Sequence, residues 1–130
     1  MRAALLLASA VLVGCGGAPH TTDVLRRPCS AVALVPGIWL DVGPRPGQVI
    51  TAATVTACRD GVCRTEQASL APQDTGWAGF AAFDDLRVGP YEVTVVLPGG
   101  TPTTQNTAAR LEFPGGPECG GGVPRAKIQL

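Results

Sequence analysis

Residues 91–97 read Tyr91-Glu92-Val93-Thr94-Val95-Val96-Leu97. Tyr91, Val93, Val95 and Leu97 fall on one face and Glu92, Thr94 and Val96 on the other. That period of two, carried by β-branched residues, is the pattern of a half-buried strand. The chain on either side repeats it. Thr107 to Phe113 sets Ala109, Leu111 and Phe113 inward against Arg110 and Glu112, and Arg125 to Leu130 buries Ala126, Ile128 and Leu130. Upstream, Trp77 to Phe83 places Trp77, Ala81 and Phe83 on one side, and Val49 to Arg59 carries Val49, Ala53, Val55 and Ala57 on one face. Val62 to Gln67 returns from that strand, Ile38 to Val42 alternates in part, and Ala31 to Val35 is apolar and extended. Gly and Pro break the chain between these runs, at Gly43-Pro44-Arg45-Pro46-Gly47, Pro72 to Gly76, Asp84 to Pro90 and Pro98 to Asn106. No window holds a helical period. About seven short strands joined by such loops predict an antiparallel β-sandwich.

The start of the chain states an address. Arg2 is followed by an apolar run from Ala3 to Val13, interrupted only by Ser9, and then by Gly14-Cys15. The run is a signal-peptide core, too short for the roughly 20 apolar residues that a membrane helix needs. Leu12-Val13-Gly14-Cys15 resembles a bacterial lipobox, and the Gly16-Gly17-Ala18-Pro19 that follows suits a tether. The resemblance implies diacylglycerol on the Cys15 thiol, cleavage before it, and lodging in the cell membrane or outer membrane by acyl chains. Gly16 in place of Asp points to the outer membrane in diderm cells. The competing reading is an ordinary signal peptide with a cysteine near its cleavage site. The expected organisation is a signal peptide over 1–14, a lipidated tether over 15–27 that includes His20, and one domain over 28–130.

Composition bounds what this domain does. The full chain of 130 residues has 10 Lys and Arg against 10 Asp and Glu, and its basic residues are scattered apart from Arg26-Arg27. That balance argues against a nucleic-acid partner. Aromatics are 5% of the chain and most of its apolar residues are Ala and Val, so the core is modest.

Four cysteines remain after Cys15: Cys29, Cys58, Cys63 and Cys119. In an exported chain they read as two disulfides, with three connectivities open. Local sequence favours one. Cys58-Arg59-Asp60-Gly61-Val62-Cys63 centres Asp-Gly, the preferred two-residue hairpin turn, and sets Cys58 opposite Cys63 at the close spacing of a non-hydrogen-bonded pair. Cys29 is then left for Cys119. A zinc site is disfavoured by the exported context and by the lack of His in the domain.

Pro36 to Val42, Ala52 to Thr56, and Phe80-Ala81-Ala82-Phe83-Asp84-Asp85-Leu86 leading to Gly89-Pro90-Tyr91-Glu92-Val93-Thr94-Val95 together resemble carboxypeptidase regulatory-like (transthyretin-like) domains. The family's Gly-x-Pro after the first strand is here the irregular Gly43 to Gly47. The resemblance implies an accessory module with no catalytic residues of its own. The fold expected is all-β, an antiparallel immunoglobulin-like or transthyretin-like β-sandwich with two disulfides.

No site residue stands out for catalysis, cofactor or metal. Asp84-Asp85 offers too few oxygens for the six to eight that calcium takes and reads as a solvated turn. A Ser or Cys nucleophile lacks a His partner within the domain. Trp39 and Trp77 lie in strand-like runs and read as core, with ligand-facing rings the alternative. The function expected is a lipid-anchored, non-enzymatic binding or structural module of the envelope, with the membrane and an envelope protein as partners. The alternative is a ligand receptor or inhibitor acting through Gly43 to Gly47 and Pro98 to Asn106.

Overall fold

The computed structural model describes residues 34–130. The signal segment, the tether with His20, Cys15 and Cys29 lie outside the described residues. Among the described residues seven strands follow one another: β1 (Gly37–Val42), β2 (Ala52–Arg59), β3 (Val62–Gln73), β4 (Gly76–Ala82), β5 (Gly89–Val96), β6 (Thr103–Glu112) and β7 (Val123–Gln129). A single 3-10 turn, Pro117–Cys119, interrupts the connection from β6 to β7.

The strands do not form the expected sandwich. Their order is β1-β4-β3-β2-β5-β6-β7, and β7 pairs with β1 to close a barrel. Two features close it. Ile38 of β1 lies between Ala81 of antiparallel β4 and Ala126 of parallel β7, so β1 has a neighbour on both sides and the sheet keeps no edge there. β3 is the other. Its 12 residues run on past the expected end at Gln67, and Ser69 pairs with both Ala52 of β2 and Phe80 of β4, which carries the sheet around a corner where a sandwich would divide. β6 turns a second corner, leaving β5 at Ala109 and joining β7 from Arg110.

A barrel this narrow is filled by its own side chains, large inward residues packing beside small ones on neighbouring strands, as Ile38 does beside Ala81 and Ala126. Ile38, Leu40, Val42, Val55, Val93, Val95 and Ile128 are the large residues sealed inside, with Ala53, Ala57, Ala68, Ala81, Ala109 and Ala126 between them. This accounts for the shortage of aromatics. Trp77 and Tyr91 plug the barrel from its margins, packed against the core and partly buried.

The β2–β3 hairpin forms as the sequence predicts. Asp60 and Gly61 have φ of 52° and 76°, the two positive values of a type I′ turn. Arg59 pairs with Val62, Cys58 with Cys63, and the two cysteines are bonded with Cα atoms 4.1 Å apart.

Other expectations need correction. Among the described residues there is one complete disulfide, Cys58–Cys63, where two were expected. Cys119 is disulfide-bonded in its own right, and the Cys29 end of the expected Cys29–Cys119 pair lies outside the described residues. Leu111 and Phe113 are 50% and 42% exposed, because β6 outruns its β5 neighbour at Ala109 and Phe113 lies past the end of the strand. Val49 sits in the loop before β2, and the expected Pro98 to Asn106 loop ends at Thr103, where β6 begins. Trp39 is not core. It is 41% exposed, since Ile38 and Leu40 take the inward positions on either side of it.

Candidate functional site

With Ile38 and Leu40 inward, the alternation of β1 turns Trp39 and Asp41 out onto the barrel wall. Trp39 lies opposite Phe80 on β4 and Lys127 on β7. The Trp39 and Phe80 rings have centroids 4.8 Å apart and planes at 52°. The Arg125 guanidinium stands 5.6 Å from the Phe80 ring and 6.0 Å from the Trp39 ring, within cation–π range. Arg125 is itself held, donating from Nε to the Val35 carbonyl at 3.3 Å and approaching Glu112 at 3.6 Å.

Beside this aromatic pair the wall opens into a cleft of about 530 Å³. Ala78, opposite Asp41, keeps its floor low. Trp39 forms one side, and Asp41, Gln73, Asp74, Thr75 and Lys127 supply donors and acceptors around it. Asp41 and Lys127 face each other at 3.6 Å, both about half exposed. The arrangement offers one flat apolar surface and several hydrogen-bonding groups at its edge, the combination by which ligand sites fix orientation.

A second cleft of about 440 Å³ lies at the end of the barrel formed by the β2–β3 hairpin and the β4–β5 connection. Several of its polar groups are already engaged. Arg59 donates to the Val88 carbonyl at 2.9 Å and stands 5.3 Å from the Tyr91 ring, the Arg87 backbone N–H donates to the Tyr91 hydroxyl at 3.0 Å, and Arg64 pairs with Asp85 at 3.1 Å. The Asp84-Asp85 dipeptide thus has one carboxylate tied to an arginine. Among the described residues no three His, Cys, Asp or Glu side chains converge as a metal site would require.

The two loops singled out by sequence meet at the opposite end of the barrel. Arg45 and Gln48 face Leu97 to Thr101 across a cleft of about 190 Å³. Of the two tryptophans, Trp39 reaches a cleft and Trp77 packs against the core. Phe80, Arg125, Lys127 and Gln73 were not foreseen as site residues. Parity carried a signal for Phe80: placing Trp77, Ala81 and Phe83 on one side sends Phe80 to the other, with Trp39. Comparison with protein-family models, curated protein sequences and solved structures gives no match to this chain.

Proposed function

We propose that this chain is a lipoprotein of the bacterial cell envelope, held by acyl chains on Cys15 and exposed outside the cytoplasm, whose barrel is a non-enzymatic binding module. The observation that carries the binding role is Trp39. A large aromatic ring turned to solvent, braced by Phe80 and Arg125 and set in a polar-edged cleft, suits a ligand with one flat apolar face and hydrogen-bonding edges, the chemistry of a sugar ring. The lipobox resemblance at Leu12-Val13-Gly14-Cys15 supports the anchor.

Two measurements test the reading. Intact mass of protein extracted from its native membrane is expected to equal residues 15–130 plus acyl chains, and an unacylated mass removes the anchor. Titration with soluble envelope glycan fragments is expected to shift tryptophan emission, and Trp39→Ala to abolish both the shift and binding by calorimetry. Glycan binding that survives in Trp39→Ala with unchanged affinity would overturn the wall site.

The second reading, a receptor or inhibitor acting through its loops, is favoured by one observation: the Gly43 to Gly47 loop and the turn after Leu97 share a cleft. Arg45→Ala should then weaken capture of an envelope protein while Trp39→Ala leaves it intact.

A further inference from the structure

Most of the large exposed apolar side chains are gathered at one end of the barrel. Among the described residues seven large hydrophobic side chains are exposed: Leu34, Trp39, Val49, Val62, Val88, Leu111 and Phe113. Register places five of these, all but Trp39 and Val49, at a single rim. Gly37 starts β1 opposite Ala82 at the end of β4, which puts Leu34 and the β4–β5 connection together. The Arg64–Asp85 pair brings the β2–β3 turn, with Val62, to that connection. Gly89, next to Val88, pairs with Ala109 of β6, whose last residues lead to Leu111 and Phe113. A side chain on Gly121 would touch Leu34, and one on Gly122 would touch Leu111 and Phe113, so these residues close around the start of β7. In barrel order the crown runs β3, β2, β5, β6, β7, β1.

The described chain begins at this rim, at Leu34. The 20 residues from Cys15 to Leu34 reach at most about 70 Å when fully extended, so acyl chains on Cys15 hold the barrel within that distance of the bilayer and join it at this rim. We infer that the rim bearing Leu34, Val62, Val88, Leu111 and Phe113 is a docking surface for the lipid bilayer, into whose headgroup layer these side chains insert. The inference rests on the anchor at Cys15. Exposed apolar residues gathered in one place mark interaction surfaces, and an interfacial surface gains affinity from buried apolar area. At this rim Arg64 is paired with Asp85, Arg125 with Glu112 and Arg59 with Asp60, and the charge of Arg87 is offset by that of Asp84, so the charges balance and docking needs no anionic lipid. Docked in this way, the barrel turns the Gly43 to Gly47 loop away from the membrane and stands the Trp39 cleft on its flank.

The experiment uses the full chain, purified from its native membrane and reconstituted into phosphatidylcholine vesicles with brominated acyl chains, which quench nearby tryptophan. Phe113→Trp and Val88→Trp put probes on the rim, Val49→Trp puts one at the far end, and wild type supplies the background from Trp39 and Trp77. The expected result is loss of the added emission in both rim variants and its retention in Val49→Trp, equally at low and high salt. Retention in both rim variants of acylated protein overturns docking and leaves the anchor standing, with the barrel held off the membrane or its rim covered by other chain. A mass without acyl chains removes the anchor instead. The same vesicles added to that free protein then decide the rim: quenching of Phe113→Trp upholds docking, and its absence overturns it.

Discussion

Trp39 and Phe80 stand directly opposite each other across β1 and β4, with ring centroids 4.8 Å apart, and Arg125 from β7 lies within 6.0 Å of both. Three strands distant in sequence thus contribute to one patch on the barrel wall. Cross-strand aromatic pairs add about 0.5–1.5 kcal/mol beyond their buried area. A double-mutant cycle with Trp39→Ala and Phe80→Ala, read by urea unfolding, is expected to give a coupling of about that size. Additive single effects would mean that the rings merely share a surface.

Arg125 is the fixed member of this patch, its side chain only 12% exposed. Its fork reaches Val35 and Glu112 while the guanidinium faces two rings, which an ammonium cannot reproduce. Arg125→Lys is expected to cost about 1–2 kcal/mol of stability despite its unchanged charge, because the hydrogen bond from a charged donor is lost. The same variant should weaken any ligand held against Trp39. Equal stability in thermal and urea unfolding would show that the charge alone matters.

The hairpin at Asp60-Gly61 carries two devices with one outcome. The turn sets the register through its backbone, and the Cys58–Cys63 bond closes a very short loop. For a loop of about six residues the chain-entropy model gives about 2 kcal/mol, less than for a long loop. Replacing both cysteines by Ser is therefore expected to lower stability by no more than about 2 kcal/mol and to leave the hairpin's amide-exchange pattern in place. Gly61→Val, with the bond intact, should disturb that pattern, since its φ of 76° is strained for a β-branched residue.

How much of this was legible follows from what is local. The hairpin was, because turn and disulfide lie within Cys58 to Cys63. β5 was, because Tyr91 to Val95 alternates cleanly between apolar and polar. In Ile38-Trp39-Leu40 three apolar residues stand in a row, so either parity could face inward, and only the fit of Ile38 and Leu40 between β4 and β7 decides that Trp39 faces out. Pro72 reads as a breaker, yet it lies in β3 opposite Trp77, one pair from the strand's end, where proline is tolerated. Leu111 and Phe113 continue the alternation of Ala109, and pattern alone does not show where a strand outruns its core. Closure itself was illegible: inward alternation is the same for a sandwich and a barrel, and the deciding contact joins β1 to β7, nearly 90 residues apart.

That contact supplies the last prediction. At the start of β1, a Cβ on Gly37 would run into the Ala81 carbonyl oxygen and the Phe80 ring, so the glycine lets β1 lie close against β4 while β7 pairs on its other side. Relief would require β1 to move away from β4, which strains its pairing with β7. Gly37→Ala is therefore expected to destabilise by about 1–3 kcal/mol, the range for overpacking a tight site. Ile128→Ala acts on the same seam from within: it empties a large inward position on β7 and is expected to cost about 2–5 kcal/mol. The two should differ in amide exchange. Opening at the seam in Gly37→Ala should speed exchange along β1 and β7 ahead of β2 and β5, which pair with each other away from it, whereas the cavity in Ile128→Ala should loosen the whole core. Uniform loss of protection in Gly37→Ala would mean that the barrel unfolds as one unit and that closure is no weaker than any other pairing.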